Sequence, residues 1–565
     1  MTHPNKSDDA KAQHANAQQA LGMFQSLLGS EGVITDAAEL TYYSTDISGE
    51  GEVKPLCVLR PIAVDQLCQA VTIAGGLGLP LIPRGAGMSY TKGYLPEAEN
   101  TVMIDLSQLT EIEEINEKDM VVTVQAGCTW GALYEALKKR GLRTPYFGPL
   151  SGLTSTVGGA ASNNATFFGS GAHGAMADNV IGLDVVLADG SLLETGSSSA
   201  DGRLPFMRHF GPDLTGLFLG DCGAFGIKAR ITMPLIAMPA AEEHLSFAFE
   251  NIEDIALAHT ALARENVVAE QWGIDPVGNQ HLAARGFDFL EGLGFVKDVA
   301  AASEKLAGAV TNVTKLLIQG QRFADRTGYA LHVVVEGIDA RDAEAKADRV
   351  RRICLPMALK ELPNTIPKVT RSKPFRPIKA LLGPEGENWL PVHGMFPLSS
   401  AAEVSAITDE YFSRHAELMD QHSITFSYLT SATATSYLIE PMFYWKDRLH
   451  AFHQRHVTPE QKKTYGKTKP DPETREVVMK LRRDLAGLWD AFGASHHQLG
   501  RQYPYASQLS SAALAVAVSI KAALDPKGIM NPGVLELTGK GQGVKKMTKF
   551  PEFPQDLLKE EWKVR

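Results

Sequence analysis

Pro83-Arg84-Gly85-Ala86-Gly87-Met88-Ser89 directly follows the apolar run Leu79-Pro80-Leu81-Ile82, and this junction sets the reading of the whole chain. A short apolar run of that kind reads as a buried strand. Glycines just beyond it let backbone N–H groups turn toward an anion with no Cβ in the way, a nest suited to a pyrophosphate. Arg84 can add charge-assisted bonds, and Gly93 closes the block. Taken alone, the block also fits a tight glycine turn after a strand.

Working outward, Gly148-Pro149-Leu150-Ser151-Gly152-Leu153-Thr154-Ser155-Thr156-Val157-Gly158-Gly159 runs on to Ser162-Asn163-Asn164-Ala165. The stretch is too long and too rich in glycine and small polar residues for a hairpin, and long ordered loops are usually functional. A flat isoalloxazine ring and its diphosphate need such close backbone approach. Gly169-Ser170-Gly171-Ala172-His173-Gly174 formally matches GxGxxG, with Asp189 at roughly the expected later position. Yet no strand precedes these glycines, and only about eight residues separate them from the next strand, where a βαβ unit needs a full crossover helix. The nicotinamide reading is therefore rejected, and His173 is read as a loop residue. Gly220-Asp221-Cys222-Gly223-Ala224-Phe225-Gly226-Ile227 and, near the end, Asp525-Pro526-Lys527-Gly528-Ile529-Met530-Asn531-Pro532-Gly533 complete four blocks.

The chain has 565 residues, 44% of them hydrophobic, and at roughly 100–200 residues per domain this implies two to four domains. A formal net charge of -10 argues against a nucleic-acid partner, which needs a clustered basic face. The cysteines Cys57, Cys68, Cys128, Cys222 and Cys354 are odd in number and never at CxxC spacing, so they read as buried thiols, not as a zinc site, redox pair or disulfide framework. Met1 to Gln19 is polar and is expected to be a disordered tail, with no secretory signal. No uninterrupted apolar run of about 18 residues occurs, and a cytoplasmic location is expected.

From about Leu56 to Leu235, short helices alternate with apolar strands, which predicts an α+β segment on one mixed sheet. Asp65 can N-cap a helix that Gly75-Gly76 can end, and Trp130 to Arg140 reads as a second helix closed by Gly141. Ile112 to Ile115 and Met120 to Ala126 read as a hairpin. From about Glu242, strands alternate with long surface helices, which predicts a separate α+β domain on an antiparallel sheet. Val457 to Glu473 reads as a mobile loop, and Arg475 to Phe492 and Ala506 to Leu524 as helices. The fold class is α+β, and the chain is divided as tail 1–20, a first domain 21–240, a second domain 241–480, a final segment 481–540 and tail 541–565.

In their order the four blocks resemble the PCMH-type FAD-binding flavoprotein superfamily, that of vanillyl-alcohol oxidase, p-cresol methylhydroxylase and the D-lactate and glycolate dehydrogenases, from about Leu56 to Leu537. The resemblance implies a two-part FAD-binding domain, an α+β cap that lays substrate against the flavin, and a C-terminal helical return. It implies FAD, with Arg84, Gly85, Ala86, Gly87, Met88 and Ser89, flanked by Pro83 and Gly93, on the pyrophosphate. Gly152, Thr154, Ser155, Thr156, Gly158, Gly159, Ser162, Gly226 and Ile227 are implied along the flavin and ribityl, and Asn531 near the ring. Met88 stands where berberine-bridge-type members carry a linking histidine, and the second block has no cysteine, so FAD is expected to be non-covalent. His450, His453 and His456 leave a link from the cap open; at their spacing they also fit a polar helical face, and no metal site is assigned.

Ser495-His496-His497-Gln498-Leu499-Gly500-Arg501-Gln502-Tyr503 resembles the place where D-lactate-type members carry a Glu-His-Gly motif and alkylglycerone-phosphate synthase a histidine run. An imidazole there can take a hydroxyl proton as hydride leaves for flavin N5, with His496 and His497 equal candidates. Arg501 can bind a carboxylate bidentately or steady a phenolate, and Tyr503 can act as a neutral donor. In the cap, Pro391-Val392-His393-Gly394-Met395 resembles the Pro-Val strand of vanillyl-alcohol-oxidase-type caps. Tyr437 to Trp445, with Glu440 among aromatics and methionine, reads as a substrate wall or as a core strand with an exposed Glu440. No HAGDGNxH-like block of the metal-dependent D-2-hydroxy-acid members occurs. The expected function is FAD-dependent hydride removal from a small hydroxylated molecule, a 2-hydroxy acid or alcohol. The alternatives are oxidation of a para-substituted phenol, a non-redox alkylglycerone-phosphate-synthase-like enzyme, and a flavin-carrying electron-transfer subunit. The acceptor is left open among a cytochrome, a quinone and oxygen, and a homo-oligomer is expected.

Overall fold

The computed structural model describes residues 6–281, 328–375 and 381–537. Two larger sheets, not one mixed sheet, make the flavin domain, with two two-stranded pairs beside them. The first runs in the order Val33–Ile34, Cys57–Leu59, Val102–Asp105 and Leu81–Arg84, its last three strands parallel. Parallel neighbours need crossover connections, and helix Val64–Leu77 supplies one. That helix passes through Gly75 and Gly76 and stops only at Gly78, whose φ of 67° is left-handed. Gly75 serves packing instead, since a Cβ there would meet the Ala188 carbonyl oxygen at 2.6 Å. Asp65 lies in the first turn, with Ala63 as the N-cap. The second sheet is antiparallel, in the order Leu192–Glu194, Gly182–Val186, Ile227–Pro234, Val121–Gln125 and Ile112–Asn116.

The start of the chain is not the expected loose tail throughout. Helix Lys6–Leu28 buries Ala17, Ala20 and Phe24, which fixes its inner face to the flavin domain. The expected tail 541–565 lies outside the described residues. No helix among the described residues is long and apolar enough to cross a membrane.

The cap is one antiparallel sheet in the order Lys360–Leu362, Ala241–Phe249, Tyr329–Gly337, Glu270–Ile274, Thr425–Ala432, Ser436–Trp445 and Asn388–Pro391, with Gly394–Pro397 also on Ser436–Trp445. Helices Ile252–Glu265, Ala340–Cys354 and Ala401–Gln421 pack on it. The polar stretch read as a mobile loop contains helix Pro459–Tyr465, started by a reciprocal Thr458–Gln461 capping box. Helices Pro472–Ala491 and Ser511–Leu524 then carry the chain back. The return is completed on the first sheet, where the Leu81 N–H donates to Ile529 O at 2.7 Å and the Asn531 N–H to Leu81 O at 2.8 Å.

Cap and flavin domain meet at a buried ionic cluster. Arg371 pairs with Glu242, Glu270 and Glu336, and Arg143 of the flavin domain pairs with Glu336. The Gly169 N–H donates to Glu270 at 3.0 Å across the same seam. Both guanidinium groups lie over the Phe147 ring, at 4.9 and 4.7 Å.

Candidate active site

The four glycine blocks converge. The space a Gly85 side chain would need is taken by Thr156 Oγ1 at 2.6 Å, and that at Gly223 by Pro83 at 2.6 Å. The Cys222 N–H donates to Ser162 O, and Asn531 Nδ2 donates to both Gly93 O and Cys222 O. At the centre, the consecutive N–H groups from Gly85 to Ser89 donate to no acceptor among the described residues. Gly87 and Ser89 are buried and Gly85, Ala86 and Met88 half-buried, and buried backbone donors are rarely left without partners, so this run makes a nest for an anion that fits the pyrophosphate of a dinucleotide. Gly87, at φ 75°, makes the turn possible.

Arg84 adds less to the nest than its position suggests. Its guanidinium lies over the rings of Tyr42, Tyr43 and Tyr94 at 4.8, 4.8 and 5.2 Å, with Nη1 on Gly85 O at 3.5 Å. In the second block, Thr156 caps helix Val157–Asn163 and occupies the Gly159 N–H. Thr154 and Ser155 sit in a local turn on Ser151, and Gly152 is covered by the Phe375 ring. Gly226 is pressed against Val185 where Ile227 begins its strand. Asn531 is spent on holding chain segments together, its Oδ1 accepting from Arg501 Nη2 at 2.8 Å.

A second cluster lies beside the nest. Tyr90, one residue past it, donates its hydroxyl hydrogen to Glu440 at 2.8 Å and accepts from Gln498 Nε2 at 3.2 Å. Cap strands pair Pro391 with Met442 and Gly394 with Ile439, which leaves His393 opposite Glu440. The Trp389 and His393 rings stand edge-on to Tyr90 at 6.0 and 6.2 Å. Tyr503 accepts from the His393 N–H at 2.9 Å and lies 3.3 Å from His393 Nδ1. His497 stacks on His393 at 4.1 Å, and His496 stacks on Tyr503 at 4.1 Å while its Nε2 meets Asp490 at 2.8 Å. Behind them Arg482 is wholly buried, donating to Pro391 O, Gln502 Oε1 and Tyr90 O at 2.7, 2.9 and 2.9 Å.

Burial raises the Glu440 carboxyl to about 7, against the opposing pull of the Tyr90 bond and Arg482. Burial, with His496 nearby, lowers His497 to about 3, and burial with His497 and His496 lowers His393 well below the ordinary histidine range. Burial lifts the Tyr503 hydroxyl to about 12. At neutral pH His393 and His497 are thus neutral imidazoles and Tyr90 and Tyr503 neutral phenols, beside a Glu440 carboxyl poised to gain or lose a proton.

Two expected site residues point elsewhere. Arg501 gives its fork to Lys92 O, Asn531 Oδ1 and Pro532 O, each at 2.8 Å, and lies 3.4 Å from Glu97. It clamps the terminal turn to the nest. Tyr437 and Glu440 are an odd number of residues apart on one strand, so they face opposite sides of the sheet. Tyr437 faces the helices and shares a hydrogen bond with Ser405 at 2.9 Å. Sequence reasoning missed Tyr90, Arg482 and Trp389. His450 and His453 stack at 3.8 Å in the interior, and His456 bonds Tyr42 at 3.0 Å, so they form no exposed polar face.

A family profile described as FAD binding domain matches residues 55–196, and one described as FAD linked oxidases, C-terminal domain, matches residues 470–535. The fold is similar to that of 4-ethylphenol oxidase from Gulosibacter chungangensis, at TM-score 0.68 and 18% identity, over 93% of this chain and 98% of that one. It is equally similar to p-cresol methylhydroxylase, at TM-score 0.68 and 15% identity, over 93% and 97%. Residues 55–196 form an FAD-binding domain, and the fold is that of the PCMH-type flavoproteins. FAD is the cofactor of this chain, and the nest of backbone donors would hold its pyrophosphate. Its sequence is 31% identical over 214 residues to the glycolate oxidase subunit GlcD of Bacillus subtilis, 38% of this chain and 44% of that relative. The match thus spans less than half of that relative's length.

Proposed function

We propose that this flavoprotein is an FAD-dependent dehydrogenase or oxidase that takes a hydride from a small, largely apolar molecule, either from the hydroxyl-bearing carbon of an alcohol or from the benzylic carbon of a para-substituted phenol. The observation that carries the reading is Glu440, a carboxyl raised by burial to about 7 and bonded to Tyr90 beside the nucleotide nest. FAD, when bound, supplies the acceptor for the hydride. Glu440 takes the hydroxyl proton, which suits a base whose pKa lies near the operating pH. Tyr90 holds Glu440 in place through its hydroxyl, Tyr503 can orient the substrate oxygen as a neutral donor, and Trp389, Met442 and Leu429 offer apolar surface on the same side of the cap. Arg482 has its nitrogens on neutral acceptors, so its charge acts through Tyr90 and Gln502 and not as an open fork for a carboxylate.

A 2-hydroxy acid is the second reading, favoured by the likeness to a glycolate oxidase subunit. Anaerobic mixing with 4-hydroxybenzyl alcohol and with D-lactate or glycolate, followed by flavin bleaching, separates the two. Bleaching by the acids alone overturns the first. Met88 offers no linking nitrogen, and on that ground we hold FAD to be non-covalent, so acid precipitation should leave the yellow colour in solution.

A further inference from the structure

Tyr90 stands between two partners that ask different things of its hydroxyl. Its oxygen lies 2.8 Å from Glu440 Oε1, on strand Ser436–Trp445 of the cap, and 3.2 Å from Gln498 Nε2, in the returning chain. A phenol has one hydrogen to give, and an amide nitrogen can only donate. Gln498 therefore donates to a lone pair of the Tyr90 oxygen and leaves the hydroxyl hydrogen for Glu440. A hydroxyl that accepts a hydrogen bond also donates a stronger one.

Gln498 reaches this place at a cost in backbone conformation. Its φ of 51° is left-handed, a region that glycine and asparagine enter more readily than glutamine. Two bonds hold the turn. The Gln498 N–H donates at 2.9 Å to the carbonyl of Asn163, the last residue of helix Val157–Asn163, and the Gly500 N–H donates to Cys222 Sγ at 3.3 Å. Both anchors belong to the glycine blocks. The amide thus ties the second block, through Tyr90, to the carboxyl of the cap.

Other charged and titratable groups surround Glu440 and Tyr90 from the neighbouring elements. Arg482, on helix Pro472–Ala491, donates to Pro391 O, Gln502 Oε1 and the main-chain carbonyl of Tyr90. Tyr503 is turned to His393, which stacks on His497 and bonds its carbonyl through Nε2 at 2.6 Å. Asp490 is engaged by His496. None of these bonds is made to the Tyr90 hydroxyl, whose partners among the described residues are Glu440 and Gln498.

We propose that Gln498 is a positioning residue of the proton-transfer site: its amide fixes the direction of the Tyr90 hydroxyl, which keeps the hydrogen on Glu440 and favours the ionised carboxylate. The role presupposes Glu440 as the base. Without the amide the hydroxyl is free to turn away, and the ionisation of Glu440 should move to higher pH.

Gln498→Asn is the decisive variant. Asparagine suits the left-handed backbone, but its side chain is one methylene too short to reach Tyr90. The first readout is anaerobic rapid mixing of the FAD-loaded, full-length protein with 4-hydroxybenzyl alcohol between about pH 5.5 and 8.5. The midpoint for flavin reduction should lie roughly half a pH unit above that of the wild type, so that reduction is about threefold slower below it and equal on the plateau above it. Gln498→Glu, which replaces the donor with acceptors, should move the midpoint further. In a Tyr90→Phe background Gln498→Asn should move nothing, since the amide acts through that hydroxyl. A purely structural role would instead lower the plateau, FAD content or melting temperature alike in both backgrounds. The second readout needs no turnover. The carbonyl stretch of the protonated carboxyl, assigned by its disappearance in Glu440→Gln, should titrate with the same displacement in infrared difference spectra of the substrate-free holoenzyme. An unmoved midpoint in Gln498→Asn, or an equal displacement with and without the Tyr90 hydroxyl, overturns the proposal. An infrared titration that shifts as expected while reduction stays independent of pH would take the base away from Glu440 and leave Gln498 directing the same hydroxyl.

Discussion

The Tyr90 hydroxyl bonds the Glu440 carboxylate at 2.8 Å, joining the residue just past the nucleotide nest to the middle of the cap sheet. Flavin domain and cap therefore build the candidate base together. Glu440→Gln keeps the shape and removes the proton acceptor. Flavin reduction by a substrate alcohol should slow about 10²–10⁴-fold, with FAD content unchanged, in anaerobic rapid mixing. Wild-type rates in this variant would remove Glu440 from the chemistry.

The pH dependence follows from the same carboxyl. Burial holds Glu440 near 7, and only its ionised form accepts a proton, so reduction should accelerate as pH rises through about 7 and then level. The Tyr90 bond favours the ionised form, so Tyr90→Phe should move the midpoint upward. Glu440→Gln should flatten the profile between about pH 6 and 8.

Arg501→Ala should act on the cofactor side. Its guanidinium links Lys92 O, Asn531 and Pro532, so its loss frees the terminal turn from the nest. Bond losses to a charged donor are worth about 1.5–3 kcal/mol, and the expected outcome is weaker FAD retention and a lower melting temperature. The substrate concentration needed for half-maximal reduction of enzyme that has kept its FAD should not change. A rise confined to that concentration would return Arg501 to the substrate.

Gly87→Ala tests the nest itself. A Cβ at φ 75° would be strained and would collide with the Arg84 guanidinium, which the three tyrosines hold in place. Titration of the apo-protein with FAD should show at least a tenfold loss of affinity. Unchanged affinity would place the pyrophosphate elsewhere.

The glycine blocks were legible because what they do is local: a left-handed turn or a close backbone approach leaves its mark at one position, as at Gly87 and Gly223. The second cluster was legible only in part. Trp389 and His393 come beside Glu440 through a register in which strand Asn388–Pro391 lies on Ser436–Trp445, and Tyr90 reaches it from the loop after the nest; no local pattern states either. Arg501 was the natural choice for an anion because it follows the histidines closely. Gln498 at φ 51° and Gly500 at φ 55° bend the chain between them and send that side chain to the terminal turn. The buried cation comes instead from Arg482, a helical residue with no motif around it. Tyr437 was separable in principle, since the two-residue period of a strand already puts it on the opposite face from Glu440.

The ionic cluster at the seam should make stability depend on pH in a particular direction. Burial raises Glu270 to about 7, with Arg371 opposing; Glu336 is also pushed up by burial, but Arg371 and Arg143 outweigh this and hold it low. A carboxyl whose folded pKa exceeds its ordinary 4.5 contributes stability that is fully present below about 4.5 and is lost as pH rises through about 7. Glu270→Gln imitates the protonated form. It should leave the urea midpoint nearly unchanged at about pH 4.5 and raise it relative to wild type at about pH 8.5, where the wild type must carry three carboxylates against two arginines. Arg371→Leu should be destabilising throughout, by about 3–5 kcal/mol, because it strips a buried cation from Glu242, Glu270 and Glu336 together. Its deficit should grow with pH as Glu270 ionises without a partner. Equal effects of Glu270→Gln at both pH values would show that Glu270 is ionised throughout, held so by Arg371, and that burial does not govern this seam.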